Sequence, residues 1–328
     1  MEVVTLGPLP VASMVWQPRP GVWILTVVVK ATYVLRPGEA SLAPLQEAPA
    51  DDERYWSDDP TRSLRAPRDL VPVKPNAEVL LVGQAFAPDH QPVRSLVARL
   101  VVGDFEKSVE VLADRFIGPD GSVREGAPFA RMPLTYERAA GGPGTTNPVG
   151  VARSARDAQG RVVLPNLQRP GAVLGAGAIE PIGFGPLAPT WPERSDRLRG
   201  VNIAGAAPGF SFRDIGARPL PEGMDLGFFN AAPRDQQVRA LGESEHITLE
   251  NLHPEHARLV TTLPGIAPRT TLEGRRSGPV TIPMRADTLW IDTDRGMCTL
   301  TFRGMIPLEG VDEAGRVTVV MESACRWG

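Results

Sequence analysis

The chain has 328 residues, 42% of them hydrophobic and 22% charged, with a formal net charge of −3 and a pI near 5.9. That is enough apolar material for a buried core and too little positive excess for general affinity to nucleic acid or an anionic membrane, so wholesale disorder and polyanion binding are excluded. Its 33 glycines and 34 prolines lie well above the average share of roughly 12% for the two together, which points to many short strands joined by turns.

Residues 23–35 (WILTVVVKATYVL) are rich in β-branched and aromatic side chains and contain no breaker, the pattern of a long central strand. Lys30 interrupts the run, and it is too short to span a bilayer. The first ten residues lack the basic-then-apolar order of a secretory signal, so a cytoplasmic protein is expected. Pro37 and Gly38 end the strand. Residues 51–75 (DDERYWSDDPTRSLRAPRDLVPVKP) follow as a connector whose prolines forbid a long helix. It is expected to lie as ordered coil over the sheet, anchored by Tyr55 and Trp56.

Residues 79–86 form a second strong strand pattern, and residues 95–102 and 105–111 flank Gly103-Asp104 as a tight hairpin. A short strand begins at Asp114, Arg115 and Phe116. Residues 129–150 (FARMPLTYERAAGGPGTTNPVG) make a central loop, rich in glycine and proline but also in directional polar groups. Arg131, Glu137, Arg138 and Asn147 are expected to form a largely buried polar network that pins it to the sheet. The loop has neither Gly-Lys-Ser/Thr nor a Gly-x-Gly-x-x-Gly helix start, so it cradles no phosphate or dinucleotide.

From residue 151 to 218 periodicity nearly vanishes, and ordered coil with apolar plugs is expected. Strand patterns resume at residues 245–252, 258–263, 279–284, 288–293, 297–303 and 317–322, with a hairpin turn at Asp294-Arg295-Gly296. The expected fold is mainly β, with antiparallel sandwich-like sheets, long ordered coil and under about 15% helix. It is one domain over residues 1–328, with possible sub-lobes at 1–150, 151–240 and 241–328.

Catalytic patterns are weak. His246, His253 and His256 cluster with Glu243, Glu245, Glu250 and Glu255, but no H-E-x-x-H pattern is present and Pro254 breaks the helix that would align the rings. A solvated turn is expected there, with no metal and no cofactor. His90 lies in an exposed turn. Neither Gly-x-Ser-x-Gly nor Ser-x-x-Lys occurs. Cys298 reads as core, and Cys325 has no adjacent histidine. Two cysteines in so long a chain make no disulfide framework. The pairs Asp51-Asp52 and Asp58-Asp59 are consecutive and diverge in direction, so they suit a solvated charge run. Lys30, Lys74 and Lys107 are the only lysines, so nearly all the positive charge is arginine, which supports ion pairs and protein contacts.

Seven phrases in order, VVVKATYVL, SLRAPRDLVPVKPNAEVLLVGQAFAP, PFARMPLTYERAAGG, TNPVG, LPNLQRP, GFGPLAPTWPER and FFNAAPRDQQ, resemble the bacterial domain-of-unknown-function family 2169, found beside type VI secretion genes. The resemblance implies an adaptor or chaperone that helps load a toxic effector onto the secretion spike. Its partners would then be the secreted effector and the spike protein, and it supplies no catalytic residue. Where the family commonly has an aromatic before the glycine pair, this chain has Ala140. The residues fit a binding module that clamps an apolar or partly folded segment, by edge-strand pairing or in an apolar groove. A structural component of a contractile tail-like particle and a hydrolase with a dispersed site are the alternatives. Aromatics on Gly/Pro-rich coil either plug the sheet or meet another chain, which makes Trp191, Phe210, Phe212, Phe228 and Phe229 the partner-binding candidates. Phe210 and Phe212 rank first, because Ala206-Ala207-Pro208-Gly209 before them frees the backbone to present them outward.

Overall fold

In the strand Val22–Val34, the odd-numbered Leu25, Val27, Val29, Ala31 and Tyr33 point into the core while Thr26, Lys30 and Thr32 point the other way. This strand stands near one end of the largest sheet of a computed structural model that describes residues 1–172, 180–201, 215–216, 218–274, 278–310 and 313–323. The main sheet runs in the order Gln237–Val238, Ala77–Val82, Met284–Asp292, Met297–Leu308, Val22–Val34, Val11–Arg19, with Ser41–Leu42 paired to the end of the long strand. All its pairings are antiparallel except that of Ala77–Val82 with Met284–Asp292, which is parallel.

A second sheet runs Leu167–Gln168, Phe105–Leu112, Ser95–Val102, His246–Glu250, Arg258–Thr262, Gly38–Glu39. Its inward residues Ala98, Leu100, Val109, Val111, Ile247, Leu249 and Leu259 share one apolar cluster with the odd-numbered face of the long strand. This is the sandwich the strand patterns predict, and strand makes up 47% of the structure against 8% helix. The hairpin about Gly103 forms as expected, with Val102 opposite Phe105. A third sheet runs Glu2–Leu6, Ala314–Ser323, Ile266–Gly274, Pro279–Ile282.

Three of these strands escape the sequence pattern. Val11–Arg19 carries Pro18 where the register shifts between Trp16 and Arg19, and Ile266–Gly274 carries Pro268 beyond the stretch, Thr270 to Glu273, that pairs with Pro279–Ile282. Pro18 thus sits where no ladder bond is required, whereas Pro268 stays in register with Met321 at a point where its strand has a single neighbour. Glu2–Leu6 is short and largely exposed. The main sheet interleaves strands from both ends of the chain, so the suggested sub-lobes 1–150 and 241–328 are not separate bodies.

The opposite face of the main sheet is polar yet buried. Glu78, Thr288, Thr301 and Lys30 stand in one cross-strand row, each less than a tenth exposed. The connector covers the Lys30 end of this row with no long helix, as its prolines predict, but it is not all coil: Arg54–Tyr55 pairs with Leu64–Ala66. Lys30 Nζ donates to Asp69 Oδ2 at 2.8 Å, Thr26 donates to Pro72 O at 2.8 Å, and Arg303 donates to Val71 O and Asp69 O. Tyr55 packs on the main cluster and Trp56 on a smaller one with Leu80 and Trp290, so both serve as anchors.

Candidate binding groove at the central loop

The central loop is pinned from within by Asn147, which is 1% exposed. Its Nδ2 donates to Tyr136 O at 2.8 Å and to Ala140 O at 2.9 Å. Tyr136 O also accepts from Ala139 N at 3.1 Å, so the Asn147 amide adds a second donor there and ties that turn to Ala140 O. The return of the chain is tight enough to exclude side chains. A Cβ at Gly141 would collide with the Asn147 carbonyl, and one at Gly142, where φ is +112°, would stand 2.7 Å from the Ala152 Cβ.

Glu137 ties the loop to the connector. Its carboxylate accepts from Ser63 N at 2.9 Å, Ser63 Oγ at 2.7 Å and Arg62 Nε at 3.4 Å. Burial works to raise the pKa of this acid, but the hydrogen bonds it accepts, first those of Ser63 and then those of its own N–H and Thr135, together hold the carboxyl below its ordinary range. Arg138, half exposed, donates to Asn166 Oδ1 at 3.0 Å and reaches Asp114 at 3.4 Å. The expected four-residue network is therefore three separate clamps, and Arg131 belongs to none of them. Arg131–Pro133 pairs with Gln84–Phe86, and the pleat turns Met132 inward and Arg131 outward. The Arg131 guanidinium lies 5.9 Å from the Phe86 ring.

Held in this way, the loop forms one wall of a groove of about 740 Å³. The facing wall is a small sheet of Arg115–Ile117, Val123–Glu125 and Val162–Leu164. Val123, Ile117 and Val162 are in register across its three strands and form an apolar row. Ala140, Pro143, Val151 and Ala152 line the loop side, and among the described residues that line the groove Arg153 is the one charged side chain. The next row of the small sheet carries Phe116, whose ring has the Arg161 guanidinium 3.8 Å from its centroid. The groove thus offers apolar contact and shape rather than proton transfer. None of its apolar row was singled out from sequence. The signal available was two short apolar runs, RFI and VVL, too brief to separate from loop.

The aromatic candidates fall elsewhere. Trp191 is 4% exposed and meets Tyr136 edge to face at 5.2 Å. Phe228 and Phe229 are buried with Trp16, Val71 and Leu220, and the Arg194 guanidinium lies 5.1 Å from the Phe228 ring. These three plug the fold and do not present a partner surface. The coil bearing them must supply the apolar cover that the outer side of the main sheet otherwise lacks. Phe210 and Phe212 lie outside the described residues.

All three lysines are buried in ion pairs or hydrogen bonds. Lys74 pairs with Glu78 and donates to Thr288 Oγ1 at 2.7 Å. Glu78 also accepts from Asn230 Nδ2 at 3.1 Å, Ala231 N at 2.8 Å and Ala232 N at 3.1 Å, which fastens the segment after Phe229 to the sheet. Lys107 donates to Gln236 Oε1 at 2.7 Å and pairs with Asp235 at 2.8 Å. Arg303 and Asp287 pair at 2.6 Å beside the register shift between Ala286 and Thr288. The expected solvated turn holds in part, with Glu255 exposed and His256 half-buried. His253 is buried and its ring stacks on that of His256 at 4.9 Å. Burial, then the neighbouring His256, push the His253 pKa down. Among the described residues no three histidine, cysteine, aspartate or glutamate side chains gather to hold a metal. Cys298 is core, and burial pushes its thiol pKa up.

Fold and groove together define a multi-sheet β protein with a preformed apolar cleft beside a pinned loop. No helix among the described residues is long and apolar enough to cross a membrane. The chain belongs to the family described as an uncharacterized protein conserved in bacteria, DUF2169, whose family model matches residues 20–303. No curated protein matches, and neither does any solved structure.

Proposed function

We propose that the chain is a non-catalytic adaptor that receives a segment of a secreted effector polypeptide in the groove and helps load it onto the spike of a type VI secretion machine. The observation that supports binding is the groove itself: an in-register apolar row faces a glycine-shaped wall, with one charged residue in the lining. Apolar side chains of a partner segment gain by burial against Val123, Ile117 and Val162. A wall already fixed by Asn147 and Glu137 lowers the ordering cost of binding. The secretion setting and the effector as partner come with the family resemblance.

The test is calorimetric titration of the effector encoded beside this gene into the parent chain and into Val123→Asp. Val123 is 45% exposed, so the change leaves the core alone. The expected outcome is an affinity about tenfold lower or worse, the loss of one hot-spot contact, with an unchanged unfolding midpoint. Equal affinity in Val123→Asp and Val162→Asp would remove the partner from the groove. A parent chain that binds no product of the neighbouring genes would end the adaptor reading.

A further inference from the structure

A second cavity, of about 170 Å³, lies between the connector and the polar face of the main sheet. Lys30 and Asp69 are among the residues that line it, with Tyr55 and Trp290, and the exposed Arg54 and Asp58 stand at its rim. Its interior acceptors are already engaged. Asp69 Oδ2 accepts from Lys30 and from Ala50 N, each at 2.8 Å. Glu47 pairs with Arg295 at 2.5 Å. Thr288 Oγ1 donates to Asp287 and accepts from Lys74.

The donors are not engaged to the same degree. An ammonium has three N–H groups, and Lys30, 7% exposed, has one protein partner among the described residues. The Arg54 guanidinium and the Tyr55 hydroxyl have none among the described residues. Asp58, the one unengaged acid of the lining, is exposed to solvent. The unfilled hydrogen-bonding capacity of the cavity is therefore donor-rich, with Lys30 in the interior and Arg54 and Tyr55 reaching solvent at its mouth. The volume equals that of roughly six waters at ~30 Å³ each, which suits a small guest.

We propose that this cavity is a binding site for a small oxyanion, a carboxylate or phosphate group seated on Lys30 and held by Arg54 and Tyr55. A bound oxyanion would link the connector to the sheet, since Arg54 and Tyr55 belong to the first and Lys30 to the second. The site does not depend on the groove or its partner.

The experiment titrates sodium succinate and, separately, sodium phosphate into the full chain by calorimetry at matched ionic strength. Saturable heat is expected from one or both, and which of them binds identifies the group. Lys30→Met would strand Asp69 in the interior, so the rim variants carry the test. Arg54→Ala and Tyr55→Phe should each weaken binding by about fivefold or more, the loss of one hydrogen bond to a charged group. Arg36→Ala, an exposed arginine outside the lining, should change nothing. Absence of saturable heat from both probes at millimolar concentration, or equal affinity in the parent and both rim variants, would overturn the proposal.

Discussion

Glu78→Gln tests whether the buried ions specify the fold or merely decorate it. The Glu78 side chain is fully buried and accepts from four donors: the Lys74 ammonium, Asn230 Nδ2, Ala231 N and Ala232 N. Glutamine keeps one acceptor oxygen but turns its other end into a donor aimed at donors. The Lys74 ammonium, also fully buried, then keeps only Thr288 as a partner. Breaking a buried pair from one side costs about 3–5 kcal/mol, while the kept oxygen still accepts from Asn230, Ala231 and Ala232. Against a total stability of about 5–15 kcal/mol, the variant should lose roughly a third or more of what the chain has. Lys74→Met in the same background removes the stranded charge and should return about 2 kcal/mol or more. Urea unfolding followed by tryptophan fluorescence measures all four corners of the cycle. A Glu78→Gln chain within about 1 kcal/mol of the parent would show that water or rearrangement satisfies Lys74 and that the node is not structural.

Glu137→Ala leaves Ser63 N and Oγ without their acceptor and should cost about 2–3 kcal/mol, read as a fall of several degrees in calorimetric Tm; a parent-like Tm would mean the loop clamp is solvated. His253 has a pKa below its ordinary value in the fold, so the unfolded chain binds the proton more readily. The stability it confers is full above the unfolded pKa of about 6.5 and falls as pH drops below that, because protonation also takes Nδ1 from the Glu255 N–H and charges a ring stacked on His256. Urea midpoints between pH 7.5 and 5 should fall more steeply in the parent than in His253→Gln, and parallel profiles would refute it. Tyr33 carries a fully buried hydroxyl with no partner among the described residues, so Tyr33→Phe should be neutral or stabilising by up to about 1 kcal/mol; a clear loss would reveal a bridging group.

Long runs without breakers were legible from sequence because their burial is local information. The strand at residues 22–34 and the hairpin about Gly103 follow from β-branched content and a two-residue break. Pairing partners were not legible. Nothing near Ala77–Val82 announces a parallel neighbour more than 200 positions away at Met284–Asp292. The loop clamps at Glu137 and Asn147 could be picked out as polar groups on glycine-rich coil, whereas Arg131 failed because strand parity, set by Gln84–Phe86, decides which way it points. Trp191, Phe228 and Phe229 failed for a related reason: coil over a sheet must cover it, and aromatics cover most per residue. One compositional signal was visible in the cations. A chain that writes nearly every cation as arginine keeps lysine at three positions, and all three are buried against a specific acceptor.

The polar row explains why charges belong in the middle of this sheet. Glu78, Thr288, Thr301 and Lys30 lie side by side on four neighbouring strands, and the alternate residues of those strands face the apolar core. A slip of one residue in any of the four would exchange the faces of that strand. For the long strand it would turn Lys30 into the cluster of Leu100 and Ile247 and leave Asp69 uncovered beneath the connector. Each such error buries an unpaired charge, at several kcal/mol, whereas an all-apolar sheet would lose only packing. Both faces of the sheet are buried, so hydrophobicity alone would not distinguish them. The ion pairs make that distinction. They fix the register of the strands and, through Asp69 and Glu78, the places where the two covering coils must land.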